Sequence, residues 1–122
     1  MKKITFTLLI GLICVVTIFA QAPKTFKYQA IARDNTGNII SNQIVSFQIS
    51  IVEGDAGGIS IYTETHDITT SEFGLVNLEI GNGELVSGTF ETIDWGSNSY
   101  FLQIEMDENG GINYLLLEHL NC

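Results

Sequence analysis

Few residues in this 122-residue chain are of the types that carry chemistry. The two histidines are His66 and His119. His66 stands beside Asp67, half of an acid–base pair on paper, but neighbours on an extended strand project to opposite faces and cannot act on one substrate atom. His66 therefore reads as a surface or cross-strand residue, and His119 lies in the atypical last eight positions. Serines are plentiful, yet no Gly-x-Ser-x-Gly elbow or plausible triad accompanies them. The sequence predicts a non-enzyme with no catalytic residue and no cofactor.

Metal chemistry fares little better. Asp34-x-Thr36-x-Asn38 has the oxygen spacing that opens a calcium loop, and Asp107-Glu108-Asn109 is a second oxygen-rich turn. In the first, the glycine falls at the wrong position and no glutamate closes the loop. Both read as the Asp/Asn/Gly reversals of a β-protein. Two histidines and one cysteine, Cys122, outside the apolar N-terminal run are a poor zinc set. No metal is expected.

Aromatic residues leave one open option. Trp95 sits in a glycine-flanked loop, and Trp95 with Tyr62, Tyr100 and Phe101 could stack on sugar rings. The favoured alternative is that Trp95 plugs the end of a sheet sandwich. Trp95 and Tyr62 are the candidate ligand contacts.

The positions that must present these residues lie behind a leader. Lys2 and Lys3 precede an uncharged apolar run, Ile4 to Phe19, and a small-residue exit at Ala20-Gln21-Ala22. This is a signal-peptide pattern over residues 1–20. Cleavage after Ala20 is preferred, because cleavage after Ala22 would put Pro23 just past the cut. Cys14 lies mid-run without a small residue before it, so it is not a lipidation site and leaves with the leader. Cys122 is then the remaining cysteine, and the exported domain, of roughly 100 residues, must hold itself by burial without an internal disulfide.

The exported part keeps Lys24, Lys27 and Arg33 against all 14 acidic residues, a formal balance of about −11. Such a surface repels nucleic acid and anionic membranes. The charges are scattered singly, which suits a solvated surface and not an acidic tail.

Strand periodicity fills the remainder. Val45, Phe47, Ile49 and Ile51 alternate with Ser46, Gln48 and Ser50, giving one face to a core and one to water. Phe26, Tyr28, Ala30 and Ala32 share a face of an earlier strand, about Lys24 to Arg33. Ile59 to Ile68 alternates with no clear buried face, which suggests an edge strand. Val76, Leu78 and Ile80 mark another strand, as do Leu102, Ile104 and Met106 after Tyr100. Gly81 to Asn98 reads as one long irregular crossing between sheets. The expected core is Phe26, Tyr28, Val45, Phe47, Ile49, Ile51, Val76, Leu78, Ile80, Leu102 and Ile104. Turn signals at strand-length spacing indicate an all-β antiparallel sandwich or barrel.

The segments FKYQAIARDNTGNIISNQIVSFQISI, YTETHDITTSEFGLVNLEIGNG and SGTFETIDWGSNSYFLQIEMD resemble the N-terminal module of a set of secreted Bacteroidota proteins. The "FxYQAxAR…G" opening and "IDWG…YFLxxE" carry the resemblance over residues 21–114. It implies an immunoglobulin-like or transthyretin-like sandwich behind a signal peptide, in the N-terminal position of a longer surface protein, and supplies no catalytic or cofactor residue. The expected role is an exported structural or adhesive module. The alternative is a small carbohydrate-binding module using Trp95.

The expected location is secreted or outer cell surface, with the periplasm as transit or alternative. The expected partner is a protein or polysaccharide there, without nucleic acid, and the exported domain does not span the membrane. Leu115 to Cys122 departs from the family pattern. A two-nucleotide shift in a permitted codon choice restores Thr-Ile-Gly-Thr-Ser-Gln-Leu, so residues 115–122 read as an atypical tail from a frameshift. That tail would leave a strand edge bare, and self-association through the edge or through Cys122 is the expected consequence.

Overall fold

A computed structural model describes residues 25–122. The leader, its cleavage site, Cys14 and Lys24 lie outside the described residues. Seven strands follow in the described part: β1 (Phe26–Ile31), β2 (Ile44–Glu53), β3 (Ile59–Thr69), β4 (Leu75–Ile80), β5 (Glu84–Gly88), β6 (Tyr100–Asp107) and β7 (Leu115–Asn121), with a single 3-10 turn at Phe90–Thr92. All pairings are antiparallel and form two sheets, ordered β1-β4 and β5-β3-β2-β6-β7. The fold is an all-β sandwich, two strands over five.

β2 is the middle of the larger sheet because its alternation is the cleanest. Val45, Phe47, Ile49 and Ile51 are fully buried. In register, Phe47 faces His66 on one side and Met106 on the other, and Ile49 faces Glu64 and Ile104. From the smaller sheet Val76, Leu78 and Ile80 close the core, with Tyr28 and Ala30 half-buried beside them. Tyr62, Tyr100, Met106, Ala32 and Ile40 join it as well.

Several expectations change. Phe26 is 37 % exposed and is not a core residue, since it begins β1 at the free edge of the two-stranded sheet. Ser46 and Ser50 are buried, not in water. They are small and sit on the central strand, so the Ser46 hydroxyl donates to Asp67 Oδ1 at 2.6 Å and Ser50 pairs with Thr63 at 3.1 Å. β3 is not an edge strand. Its outer side is covered by β5, which forms inside the stretch read as one irregular crossing. β5 was hidden because all five of its residues are exposed and its two ends are glutamate and glycine.

Leu115–Asn121, read from sequence as a tail beyond the domain, forms β7 and pairs with β6. β6 therefore has no bare edge; the outer edge of the sheet is β7. A register shift between Ile104 and Glu105 breaks the alternation of β7, which is why LLLEHLN does not look like a strand. Leu115, Leu116, Leu117 and Leu120 remain 38–70 % exposed. The Cys122 N–H donates to the Tyr100 carbonyl at 2.9 Å, so the chain is tied down past the strand.

Truncating Phe47 to alanine should cost about 3–5 kcal/mol in chemical denaturation, because the ring is wholly enclosed by β3, β6 and the smaller sheet. A loss below about 1 kcal/mol would contradict the facing of β2.

Candidate functional site

The most concentrated polar chemistry lies inside the sandwich. Tyr62, Glu64 and His66 alternate along β3 and so share its inner face. The carboxylate of Glu64 is completely buried. Its Oε1 accepts from the Tyr62 hydroxyl at 2.9 Å and from the Gly81 N–H at 2.6 Å. Its Oε2 accepts from the Gly83 N–H at 2.8 Å and contacts His66 Nε2. An ionised carboxylate only accepts, so the ring nitrogen facing it is a donor. Burial by itself would raise the Glu64 pKa, but the His66, Gly81 and Tyr62 donors outweigh it and hold the group below the usual glutamate range.

This arrangement fixes backbone. Gly81 and Gly83 form the crossing from β4, in the small sheet, to β5, in the large one. Both of their N–H groups would otherwise lack strand partners. A Cβ on Gly83 would lie 2.8 Å from the Thr65 carbonyl oxygen and collide with Glu64 Oε2 and His66. The glycine is thus required by close approach.

The sequence did not single out Glu64. The Tyr62-x-Glu64-x-His66 alternation is visible in the sequence, but neither face of Ile59 to Ile68 reads as clearly buried. His66 and Asp67 are not brought together. Asp67 lies on the opposite face, bound by Ser46. His119 is exposed, with Nε2 3.2 Å from Gln103 Oε1.

Trp95 and Tyr62, the two candidate ligand contacts, belong to one chain of rings but to different environments. Phe90 bridges them, with centroid distances of 5.2 Å to Tyr62 and 5.7 Å to Trp95. Trp95 also meets Tyr100 at 5.3 Å and Phe26 at 6.4 Å, edge to face, the favoured aromatic geometry. The Tyr100 hydroxyl donates to the Asp94 carbonyl at 2.9 Å and anchors the loop that carries Trp95. Tyr62 is buried, with its hydroxyl on Glu64, so it cannot be a surface contact. Trp95 is 41 % exposed. One side of it lines an apolar slot of about 410 Å³ between the free edge of β1 and β7, with Leu102, Leu120 and Cys122. A hydrogen bond from the Tyr28 hydroxyl to Glu118 spans the same gap. Burial raises the Cys122 thiol, leaving less of the reactive thiolate.

The two oxygen-rich turns hold themselves. Asp34 Oδ1 accepts from the Thr36 hydroxyl at 2.7 Å and from the N–H groups of Asn38 and Thr36 at 2.9 and 3.0 Å. Asp107 Oδ1 accepts from the Asn109 N–H and Oδ2 from the Asn113 N–H, both at 2.9 Å. These bonds lower the pKa of both carboxyls, led by the Thr36 hydroxyl for Asp34 and the Asn109 N–H for Asp107. Among the described residues no group of three or more His, Cys, Asp or Glu is placed to hold a metal ion.

Residues 27–118 match a family model described as a domain of unknown function, DUF8740. The chain belongs to the DUF8740 family. The match runs past Tyr114 into β7. No curated protein and no solved structure matches the chain significantly.

Two outcomes follow from the buried carboxylate. Glu64→Ala should destabilise the domain by about 3–5 kcal/mol, since it strips acceptors from two backbone N–H groups, a phenol and a histidine. Thermal unfolding should also be acid-sensitive. Glu64, Asp34 and Asp107 all have lowered folded values, so their contribution is complete above the unfolded carboxyl range of about pH 4 and drains away as pH falls below it. The drop should be shallower in Glu64→Gln; an identical acid profile would contradict the assignment.

Proposed function

We propose that this DUF8740 chain is an exported, non-enzymatic structural or adhesive module, secreted or displayed on the outer cell surface, in the N-terminal position of its protein. The observation that carries this reading is the use to which the side chains of chemical type are put. Glu64, Asp34 and Asp107 are saturated by donors from their own turns and strands, and His66 is spent on Glu64. A carboxylate fully engaged with backbone N–H groups supports a scaffold better than a proton-transfer site, which needs a group within reach of a substrate atom.

The leader pattern of residues 1–20 supports export, and the acidic surface suits a solvated partner at the cell surface, protein or polysaccharide, over nucleic acid. Among the described residues no helix is long and apolar enough to cross a membrane. An immunoglobulin-like or transthyretin-like arrangement fits the two-sheet sandwich. Edge-to-edge self-association would use β7, with its four exposed leucines. The Cys122 thiol is a weaker route, since burial keeps it protonated.

The alternative, a carbohydrate-binding module using Trp95, draws on the exposed part of that indole. Its three ring neighbours, Phe26, Phe90 and Tyr100, favour the plug instead. Expression with the native leader in a bacterial host, followed by fractionation and intact-mass measurement, tests the principal reading. The expected product is outside the cytoplasm and begins at Gln21. A cytoplasmic product retaining Met1 to Ala20, or one lipidated on Cys14, would overturn it.

A further inference from the structure

The outward face of the five-stranded sheet carries a feature that the sandwich does not need. Glu84 on β5 pairs in register with Thr65 on β3, Thr65 with Gln48 on β2, and Gln48 with Glu105 on β6. Residues directly opposite one another in a ladder share a face, so these four side chains form one row across four strands. At the usual strand spacing the row is about 14 Å long. It lines an open groove of about 590 Å³, flanked by Leu85 and Val86 on one side and by Ile112 and Tyr114 on another. That volume lies inside the range of ligand sites, about 300–1,000 Å³.

The rows on either side are different. Ser46 and Asp107 are buried, as are Ser50 and Thr63, with their hydroxyls paired within the sheet. In the groove row, Gln48 Nε2 and Gln103 Nε2 both donate to Glu105 Oε1, at 3.2 and 3.0 Å. This holds the Glu105 and Gln48 planes in place and leaves Glu105 Oε2, Gln48 Oε1 and one Gln48 N–H directed elsewhere. The hydroxyls of Thr65 and Tyr114 add groups that donate and accept. Burial, then the nearby Asp67 and Asp107, raises the Tyr114 phenol, which keeps its proton for donation.

A fixed, alternating series of donors and acceptors suits a ligand whose own groups do both. Sugar hydroxyls have that character, and the aliphatic and aromatic flanks suit the C–H faces of the rings. A purely cationic ligand would use only the acceptors. An anionic one would meet Glu84 and Glu105. We propose that this groove binds a neutral hexose or N-acetylhexosamine chain lying across β5, β3, β2 and β6, with Gln48, Thr65, Glu105 and Tyr114 as its hydrogen-bonding contacts.

The inference rests on the adhesive reading and names its ligand class. It places the contact on the opposite side of the large sheet from the Trp95 slot. The test is isothermal titration of the full exported chain with cello-, manno- and N-acetylated chito-oligosaccharides, with polygalacturonate and polylysine as charged probes. At least one neutral oligosaccharide should bind, and Gln48→Ala and Thr65→Ala should each weaken it about tenfold while unfolding cooperatively like the parent. Trp95→Leu should leave the affinity unchanged. Absence of binding to every neutral probe would overturn the inference, as would tighter binding of polylysine or polygalacturonate. Loss in Trp95→Leu with no loss in Gln48→Ala or Thr65→Ala would overturn it too. None of these results touches the adhesive reading, which stands or falls on the export measurement.

Discussion

The interior of this sandwich depends on one buried charge. Glu64 sits on the inner face of β3, where hydrophobic residues line the neighbouring strands, and it is fully enclosed. Removing a carboxylate from water is expensive unless its lone pairs are all met. Here four donors meet them, two from the backbone of one crossing segment. The gain is one of specificity more than of net stability. Two hydrophobic sheets can slide against each other, but a carboxylate that must find Gly81 and Gly83 fixes where β4 leaves the small sheet and where β5 enters the large one.

From that point the constraint passes to the end of the sandwich. The Tyr62 ring, held by its bond to Glu64, packs on Phe90, and Phe90 on Trp95, which rests on Tyr100. The loop from Thr89 to Ser99 has little regular structure, and these rings and the Tyr100–Asp94 bond hold it together with bonds from Gly54 N–H to the Ser99 carbonyl and from the Asn98 amide to Glu53. Asp34 and Asp107 organise the turns elsewhere, each by accepting several N–H or O–H bonds. The acidity of the chain is thus partly architectural. Glu64 anchors the core, Asp34, Asp55, Asp94 and Asp107 accept turn N–H bonds, and the exposed carboxyls give the surface its sign.

How far the sequence reveals this depends on the periodicity of each element. The apolar residues of β2, β4 and β6 alternate cleanly, and those the pattern turns inward, from Val45 to Met106, are buried, although Ser46 and Ser50 on the other face of β2 are buried too. β5 and β7 could not be read so, because exposure on both faces leaves no alternation, and β7 also carries a register shift. β3 misleads for a third reason. Its inward residues are Tyr62, Glu64 and His66, whose burial depends on partners that lie 17 and 19 residues away in the chain. Hydrophobicity says nothing about such a pairing. The glycine-flanked loop of Trp95 leaves a sugar contact and a plug both open, and nothing in the sequence marks Tyr62 as buried.

The most direct test of the account is amide hydrogen exchange at Gly81 and Gly83 in the chain, compared with Glu64→Gln. If Glu64 fixes the crossing, both amides exchange in the parent about as slowly as the β2 and β6 core amides. In the variant they exchange much faster, while the core amides are slowed or hastened only by the global change in stability. Equal protection of Gly81 and Gly83 in the two proteins, after correction for global stability, would contradict the claim.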